Sequence, residues 1–342
     1  MKETMYDLIR PLLFQTDPER AHQGVIQVMR LVGKVPVFRK LLRALFRSER
    51  KPVQVFGLTF PNPVGLAAGY DKDGIGFRGL SVLGMGHIEV GTVTPLPQEG
   101  NPKPRIFRLP ADQALINRMG FPGRGMAFVK SQMEGVRLDD LILGVNIGKN
   151  KDTPNQEAIR DYLALLRGFS ELADYIAINV SSPNTIGLRR LQAKEHLMAL
   201  LEELAAERDQ LVKNLNKPLP LLVKLAPDLS NQELDDALDT IIQAGVEGVI
   251  ATNTTVGRVG LQSPRAKETG GLSGKPLARQ STEMIQQIHR RTSGGLPIIG
   301  VGGIFSPADA VEKFEAGARL VQVYTGLVYQ GPGLIKRIVD VC

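Results

Sequence analysis

The sequence predicts an α/β fold, a closed (β/α)₈ TIM barrel with a small helical extension at its N-terminus. After Pro52, short apolar segments alternate with amphipathic helical patterns, which is typical of parallel strands covered by helices. Eight such strands follow within about 280 residues, which is the size of a closed barrel. We therefore predict two parts: a helical extension over residues 1–52 and a barrel domain over residues 53–342.

The extension comes first in the chain and is strongly basic. Residues 1–52 contain 11 Lys/Arg and 5 Asp/Glu, so they carry +6 of the net charge of +7. Within them, residues 37–51 set apolar side chains at helical spacing among basic ones: Val37, Leu41, Leu42, Leu45 and Phe46 among Arg39, Lys40, Arg43 and Arg47. Such a helix can lie in a membrane interface and attract anionic lipid. The alternative is that it packs its apolar stripe on the barrel and leaves the basic face in solvent.

The strands of the barrel follow in order. Residues 53–60 predict a short hairpin, and eight apolar strands come after it: 63–69, 87–93, 141–147, 175–180, 219–226, 247–253, 296–303 and 318–324. The segment 94–118 is too long for a simple loop, so we expect it to cross one mouth of the barrel. The glycine-rich segment 254–277 is a candidate lid. An open doubly wound sheet is the alternative fold, but no G-x-G-x-x-G follows the first strand.

Composition excludes several classes of protein. No apolar run reaches the roughly 18 residues that a membrane-spanning helix needs, and the first 20 residues are too acidic for a secretory signal. The one cysteine, Cys342, excludes internal disulfides and cysteine-ligated clusters, which fits a reducing compartment. None of the four histidines lies at a predicted strand end or has metal-ligand spacing, so no metal site is expected. The barrel has no basic surplus, and no nucleic-acid partner is expected.

Polar side chains collect where the predicted strands end, and barrel enzymes place their chemistry at that end. The inventory runs Asp71 and Lys72, Thr92, Asn146, Asn179, Lys224, and Thr252 to Thr255. The last two strands end in the glycine-containing segments 300–304 and 324–326, the usual position of a phosphate cradle. The sequence therefore predicts a polar ligand site with a phosphate at one side.

Lys224, of this inventory, and Ser182, in the loop after the fourth strand, indicate the kind of chemistry. Lys224 lies inside the strand pattern "LLVKLA", so its ammonium is expected to be buried against negative charge. That charge is either a structural ion pair or a bound group: a Schiff-base carbonyl, a phosphate or a reduced cofactor. Ser182 precedes Pro183, which favours an extended serine at a strand-to-loop junction. A serine is a poor base without a relay, and a hydrogen-bonding turn is its commoner role.

Eight motifs occur in an order that resembles one enzyme family over almost the whole chain. They are "LAAGYDKDG", "NRMGFPG", "NVSSPNTIGLR", "VKLAPD", "ATNTT", "GLSGKPL", "GVGGI" and "VQVYTGL", with "LFQTDPERAH" in the extension. Together they resemble the class 2 dihydroorotate dehydrogenases, the quinone-reducing, membrane-associated branch. In the related class 1 enzymes the catalytic base is a cysteine, which this chain does not supply at a strand end.

The resemblance implies bound flavin mononucleotide (FMN) and oxidation of dihydroorotate to orotate in pyrimidine biosynthesis. Ser182 then resembles the catalytic base and Thr185 its proton relay. The substrate-binding positions would be Lys72, Asn117, Arg118, Met119, Gly120, Phe121, Asn179, Asn184, Asn253 and Thr254. The flavin-binding positions would be Ala68, Gly69, Tyr70, Asp71, Lys72, Thr92, Asn146, Asn179, Lys224, Thr252, Gly274, Gly303, Tyr324 and Thr325.

The resemblance also gives the extension a role. It implies an apolar tunnel for a membrane quinone, ubiquinone or menaquinone, with His22 and Arg108 near the route to the flavin. The chain is then expected to be a monomer bound peripherally to anionic lipid on the cytoplasmic face of the inner membrane. Two alternatives stay open at this point. One is a flavin-free barrel that binds a phosphorylated ligand and uses Lys224 for a Schiff base; the other is a catalytically silent barrel that binds membranes through residues 1–52.

Overall fold

The computed structural model describes residues 5–46, 48–136, 138 and 140–342. Its strands are β1 (Val53–Val55), β2 (Leu58–Phe60), β3 (Val64–Leu66), β4 (His87–Val93), β5 (Ile106–Leu109), β6 (Ala114–Asn117), β7 (Ile142–Ile147), β8 (Tyr175–Asn179), β9 (Leu221–Leu225), β10 (Gly248–Ala251), β11 (Gly271–Gly274), β12 (Ile298–Val301) and β13 (Leu320–Val323). Its helices are α1 (Met5–Gln15), α2 (Pro18–Lys34), α3 (Pro36–Leu45), α4 (Phe77–Leu80), α5 (Gly125–Met133), α6 (Ala158–Phe169), α7 (Lys194–Leu215), α8 (Asn231–Gln243), α9 (Ala278–Arg291), α10 (Pro307–Glu315), α11 (Thr325–Gln330) and α12 (Gly333–Val341).

The predicted (β/α)₈ barrel is confirmed. Eight parallel strands close in the order β3, β4, β7, β8, β9, β10, β12 and β13, and β13 pairs with β3 through Val321 and Val64. Each of these eight strands overlaps one predicted apolar segment. Because helices cover the outside, the strands are buried on both faces, and for this reason they are apolar runs rather than alternating patterns.

The hairpin of β1 and β2 closes the amino end of the barrel. Phe56 in its turn and Phe60 in β2 pack with apolar side chains of the barrel interior. Phe56 reaches so close to β10 that a Cβ at Gly248 would lie 2.3 Å from its ring. The bottom of the barrel is therefore filled, and the ligand space lies at the opposite end.

The two long segments, 94–118 and 254–277, form a small sheet over the carboxyl end of the barrel strands. β5 and β6 make a hairpin within residues 94–118, and β11 of the second segment pairs antiparallel with β6, Gly271 opposite Asn117. Phe107 and Leu272 of this sheet pack in a separate apolar cluster, apart from the main core. The predicted crossing of the barrel mouth is confirmed, and the candidate lid is joined to it by main-chain hydrogen bonds.

The extension contains α1, α2 and α3. Asp17 caps α2 by accepting hydrogen bonds from the main-chain N–H groups of Glu19 and Arg20, 3.1 and 2.9 Å long. Ile26 and Val32 of α2 are buried in the main core. Among the described residues, no helix is long and apolar enough to cross a membrane.

The amphipathic helix predicted over residues 37–51 ends earlier, at Leu45. Leu42 and Phe46 pack against the core, and the Ser48 hydroxyl donates to the carbonyl of Gly84 at 3.2 Å, which ties the following chain to the barrel. Arg47 lies outside the described residues. The rest of the predicted apolar stripe stays in solvent: Val37, Leu41 and Leu45 are 72%, 65% and 61% exposed.

Candidate functional site

A cavity of about 980 Å³ opens at the carboxyl ends of the barrel strands, beneath the three-stranded sheet. Seven of the eight barrel strands and the covering sheet contribute residues to its lining. They meet here because parallel strands of a barrel all point the same way. Most of the predicted site residues line it: Ala68, Gly69, Lys72, Thr92, Asn117, Met119, Gly120, Phe121, Asn179, Ser182, Asn184, Lys224, Thr252, Asn253, Thr254, Gly274, Gly303, Tyr324 and Thr325.

Thr92 and Asn179 form the inner wall, and Asn146 of the strand between theirs is hydrogen-bonded to both. Thr92 of β4 donates its hydroxyl hydrogen to Asn146 Oδ1 at 2.5 Å, and Asn179 Nδ2 donates to Thr92 Oγ1 and Asn146 Oδ1 at 2.9 and 3.1 Å. Asn146 does not line the cavity; it lies behind Thr92 and Asn179 and fixes their orientation. The predicted residues are therefore organised into one buried hydrogen-bond network.

Three more asparagines surround the mouth. Asn184 Nδ2 donates to Asn117 Oδ1 at 3.1 Å, which joins the loop after β8 to the end of β6. Asn253, after β10, donates from Nδ2 to Ser181 Oγ at 2.9 Å. These neutral groups can donate and accept at fixed positions, as recognition of a planar amide ring requires.

Ser182 and Thr185 lie close together in the loop after β8, both about 95% buried. Ser182 lines the cavity, and its Oγ accepts the main-chain N–H of Asn184 at 3.3 Å. Thr185 Oγ1 is buried without a hydrogen-bond partner among the described residues. A buried hydroxyl is normally paired, so this one marks a place where a proton or a ligand group can be received.

Lys224 of β9 points into the cavity from its floor and is about 5% exposed. Its Nζ lies 3.8 Å from Oε1 of Glu89 in β4. Burial lowers the pKa of Lys224, and the carboxylate of Glu89 acts in the opposite direction. Of the two explanations left open by the sequence, the structural ion pair is present, and Lys224 also lines a cavity with room for a bound group.

Lys72 and Asp71 follow β3 and play different parts. Lys72 Nζ donates to the carbonyl of Gly69 at 2.7 Å and lines the cavity, and burial lowers its pKa to about 8. Asp71 does not line this cavity; its carboxylate accepts the main-chain N–H groups of Ile75 and Gly76. Burial raises the pKa of Asp71 to about 6. Asp71 therefore shapes the loop that presents Lys72.

The loops after β12 and β13 form the predicted cradle on one side of the cavity. Gly303 has φ +73°, and a Cβ there would lie 2.3 Å from Cα of Ala278, so glycine is required. Thr325 Oγ1 and Ser273 Oγ lie 2.8 Å apart across the same edge. A close-packed backbone with main-chain N–H groups and hydroxyls is suited to a phosphate group.

Two predicted residues lie away from the cavity and bind other parts of the chain. Arg118 follows β6 and pairs with Glu268 of the second long segment at 2.6 Å. Arg108 of β5 donates from Nη1 to the carbonyl of Thr16 at 2.6 Å and lies over the ring of Phe14 at 4.9 Å. Arg118 therefore joins the two covering segments, and Arg108 joins the sheet to the extension.

A second cavity, of about 860 Å³, lies between α2 and the covering segments, and Lys72 and Met119 line both cavities. His22 lines this second cavity, as do Tyr70 and Asp71. The Tyr70 ring packs edge-on against His22, centroids 4.9 Å apart, and against Tyr324 at 5.6 Å. Burial lowers the pKa of His22 to about 4, so its imidazole is neutral at pH 7. Aromatic rings thus connect the extension to the main cavity.

The sequence reasoning missed Glu89, which lies under the cavity floor, and five lining residues: Ala67, Ser273, Leu277, Gln322 and Val323. One signal was available for Glu89. It is a carboxylate in the middle of the apolar strand "HIEVGTV", and a buried acid in such a place requires a cation or several donors. The apolar lining residues carry no comparable signal, because core residues have the same composition.

Comparison with known proteins agrees with this geometry. A model of the dihydroorotate dehydrogenase family matches residues 51–341. The chain is similar to "dihydroorotate dehydrogenase (quinone)" of Roseiflexus sp. (strain RS-1), 49% identical over 98% of this chain and 92% of the relative, and of Acidithiobacillus ferrooxidans, 50% identical over 98% and 93%.

Solved structures lead to the same family. The crystal structure of DHODH from Eimeria tenella in complex with ferulenol superposes with a TM-score of 0.89 at 40% identity, covering 97% of this chain and 93% of that one. The ligand-free form of the Eimeria protein superposes with a TM-score of 0.85. The family predicted from the motifs is confirmed: the chain belongs to the quinone-dependent, class 2 dihydroorotate dehydrogenases.

Proposed function

We propose that the chain oxidises dihydroorotate to orotate in pyrimidine biosynthesis, with FMN in the main cavity and a membrane quinone as terminal acceptor. The observation that carries this proposal is the composition of the cavity wall: amides, hydroxyls and two ammonium groups, those of Lys224 and Lys72, around about 980 Å³ of space. Such a wall suits a flat, uncharged ring system next to a second flat ring that bears a carboxylate. Family membership supplies the reaction.

The residues present fit a flavin mononucleotide. The phosphate would lie against the main chain at Gly303 and the hydroxyl of Thr325, where a side chain at position 303 has no room. The ring system would lie against the floor formed by Thr92, Asn179 and Lys224. When bound, FMN supplies the acceptor for a hydride. Lys224 contributes a positive charge that stabilises the negative charge which develops during the transfer.

The substrate would lie beside the flavin under the covering sheet. Asn117, Asn184 and Asn253 offer amide groups already held by hydrogen bonds, and this preorganisation lowers the entropic cost of binding. Lys72 is the cation available to the substrate carboxylate, assisted by Thr254. Met119, Gly120 and Phe121 complete the wall from the covering segment.

Ser182 would remove the proton from the substrate carbon, and Thr185 would pass that proton on. The support is geometric: Ser182 faces the cavity, while Thr185 stands three residues later with its hydroxyl buried and unpaired. Serine needs such a relay because its own hydroxyl is a weak base. The buried surroundings exclude water from the reacting atoms.

The extension, residues 1–52, would deliver the quinone to the barrel, residues 53–342. Its solvent-exposed leucines and basic side chains suit an anionic lipid surface, which would make the protein peripheral on the cytoplasmic face of the inner membrane. His22 and Tyr70, which line the second cavity, would lie on the route of the quinone together with Arg108. We infer a monomer, because a membrane and a substrate occupy separate faces of one chain.

The test is anaerobic addition of dihydroorotate to the purified protein, followed in the visible spectrum. Bound flavin should be identified as FMN by mass, should bleach with dihydroorotate and should regain its colour with a soluble ubiquinone. A colourless protein that forms a reducible adduct at Lys224 would instead indicate Schiff-base chemistry. Flavin that dihydroorotate cannot bleach would indicate a silent membrane-binding barrel.

A further inference from the structure

Glu89 of β4 lies inside the barrel, fully buried and one layer below the ligand cavity. Three uncharged donors bind its carboxylate: Asn146 Nδ2 at 2.8 Å, Gln322 Nε2 at 2.9 Å and Tyr175 Oη at 3.1 Å. The fourth neighbour is Lys224, with Nζ at 3.8 Å. Glu89 itself does not line the cavity, whereas Lys224 does.

The charge on Lys224 depends on this carboxylate. A buried ammonium without a counter-charge releases its proton more easily, because burial penalises the charged form. Among the described residues, Glu89 is the acid within 4 Å of Lys224. The other titratable groups of the barrel interior are neutral at pH 7: burial lowers the pKa of His87 to about 3 and raises that of Tyr175 well above 10.

Lys72 is the second cation of the cavity wall, at the end of β3, and it has its own acidic neighbours. Glu19 and Asp73 both favour its charged form, while Arg105 opposes it. Lys72 and Lys224 are therefore balanced by separate acids on opposite sides of the cavity. A change at Glu89 should act on Lys224 and leave the counter-charges of Lys72 in place.

We propose that Glu89 is a positioning residue that keeps the Lys224 ammonium charged and aimed at the cavity before the flavin is reduced. The site then presents a fixed positive charge, and reduction does not have to recruit a proton to Lys224. This inference rests on the proposed function, because it assigns a role toward the flavin. It adds a residue that the sequence motifs of the family did not suggest.

The test is the midpoint potential of the bound flavin in the holoenzyme, measured against reference dyes from pH 6 to pH 9. Glu89→Gln preserves shape, and Gln322 Oε1, which has no hydrogen-bond partner among the described residues, can accept from the new amide after a flip. In this variant Lys224 should be neutral with oxidised flavin and charged with reduced flavin. Reduction of the flavin in this variant then takes up one extra proton, on Lys224, for every two electrons. The plot of midpoint potential against pH should therefore be about 30 mV per pH unit steeper than that of the wild type.

Three companion variants define the outcome. Glu89→Asp keeps the charge and should keep the wild-type slope, and the double variant E89Q/K224M should lose the extra slope because no lysine is left to titrate. Glu247→Gln is the matched control, since Glu247 pairs with Arg208 outside the barrel interior and should change stability without changing the slope. An E89Q slope parallel to that of the wild type would overturn the inference while leaving the proposed function intact. A wild-type protein without flavin would instead remove the proposed function.

The stability of the variants gives an independent test of the same inference. If E89Q alone fails to fold, the cost of burying Lys224 without its counter-charge is the expected reason, so E89Q/K224M should fold and resist urea better than E89Q. A double variant that is no more stable than E89Q would contradict the role of Glu89 as counter-charge to Lys224.

Discussion

The barrel mouth and the N-terminal extension differ in the kind of side chain that each buries or exposes. The mouth buries polar groups: Asn146, Lys224 and Glu89 are all at least about 94% buried and all paired. The extension exposes apolar groups, with Leu8 and Leu41 each at least 65% in solvent. Buried polar groups are costly unless they bind something, and exposed apolar patches are costly unless something covers them. The exposed apolar groups therefore indicate an apolar surface that covers the extension, and the polar lining of the cavity above the paired groups suits a small polar ligand.

A buried ion pair is one of the contacts that join the two regions. Glu19 of α2 accepts from Arg105 of the covering segment, with Oε1 to Nη2 at 2.7 Å and Oε2 to Nε at 3.1 Å. Burial raises the pKa of Glu19, but the hydrogen bonds and charge of Arg105 more than offset this, so the net pKa is lowered. The extension is thus attached to the segment that covers the cavity, and the predictions below test how far the two regions work independently.

The largest expected effect concerns the mouth alone. Ser182→Ala should leave flavin bound but slow its anaerobic reduction by dihydroorotate by about 10²- to 10⁴-fold, because the proton acceptor is lost. Stopped-flow absorbance measures this rate. Ser230→Ala is the control: it removes the capping box of α8 and should cost about 1 kcal/mol of stability without slowing reduction. Near-normal reduction in Ser182→Ala would remove that serine from the mechanism.

The phosphate cradle gives the next effect. Gly303→Ala forces a side chain onto a left-handed residue and against Ala278, so FMN affinity should fall at least about tenfold. Fluorescence titration of the apoprotein with FMN measures the Kd. Gly24→Ala, on an exposed turn of α2 with nothing within 4 Å, should leave the Kd unchanged and stabilise the fold by about 0.5–1 kcal/mol. Equal losses in both variants would mean that position 303 carries no specific function.

Lys72 is expected to make orotate affinity depend on pH. Burial lowers its pKa to about 8, so the ammonium is charged at pH 7 and loses its charge as the pH rises above 8. Orotate affinity, read from the perturbed flavin spectrum, should therefore fall about tenfold per pH unit beyond that point. The dependence should vanish in Lys72→Met, which should bind orotate weakly at every pH. A flat profile in the wild type would show that another group holds the carboxylate.

The smallest expected effect concerns the extension. The double substitution Leu41→Glu and Leu45→Glu should weaken binding to anionic vesicles by roughly tenfold, since it removes exposed apolar area that lipid would cover. Vesicle sedimentation measures the change. Ile242→Glu on α8, a residue that is 52% exposed on the side of the barrel, is the matched control and should bind normally. Equal loss in both would mean that general charge, not the apolar face of α3, determines binding.

The sequence contains much of this arrangement, but not all of it. Strand ends can be located from apolar runs, so Thr92, Asn179 and Lys224 were assigned to one mouth without coordinates. Asn146 was assigned to the flavin, yet it lies behind the wall, because a strand-end position does not reveal which layer a side chain occupies. Arg118 joins two surface segments whose pairing depends on long-range contact between β6 and β11, and local patterns do not contain that contact. The exposure of Leu41 could not be read either, since an apolar stripe on a helix is equally consistent with packing.

The division of labour between the two regions is tested most directly by measuring both half-reactions separately in two variants. Reduction by dihydroorotate and reoxidation of dithionite-reduced protein by a quinone in vesicles are followed anaerobically by stopped flow. Ser182→Ala should slow reduction by dihydroorotate and leave reoxidation by quinone unchanged. The Leu41→Glu, Leu45→Glu protein should be reduced normally and reoxidised slowly. A parallel loss of both rates in either variant would contradict the account, because it would show that mouth and extension act as one site.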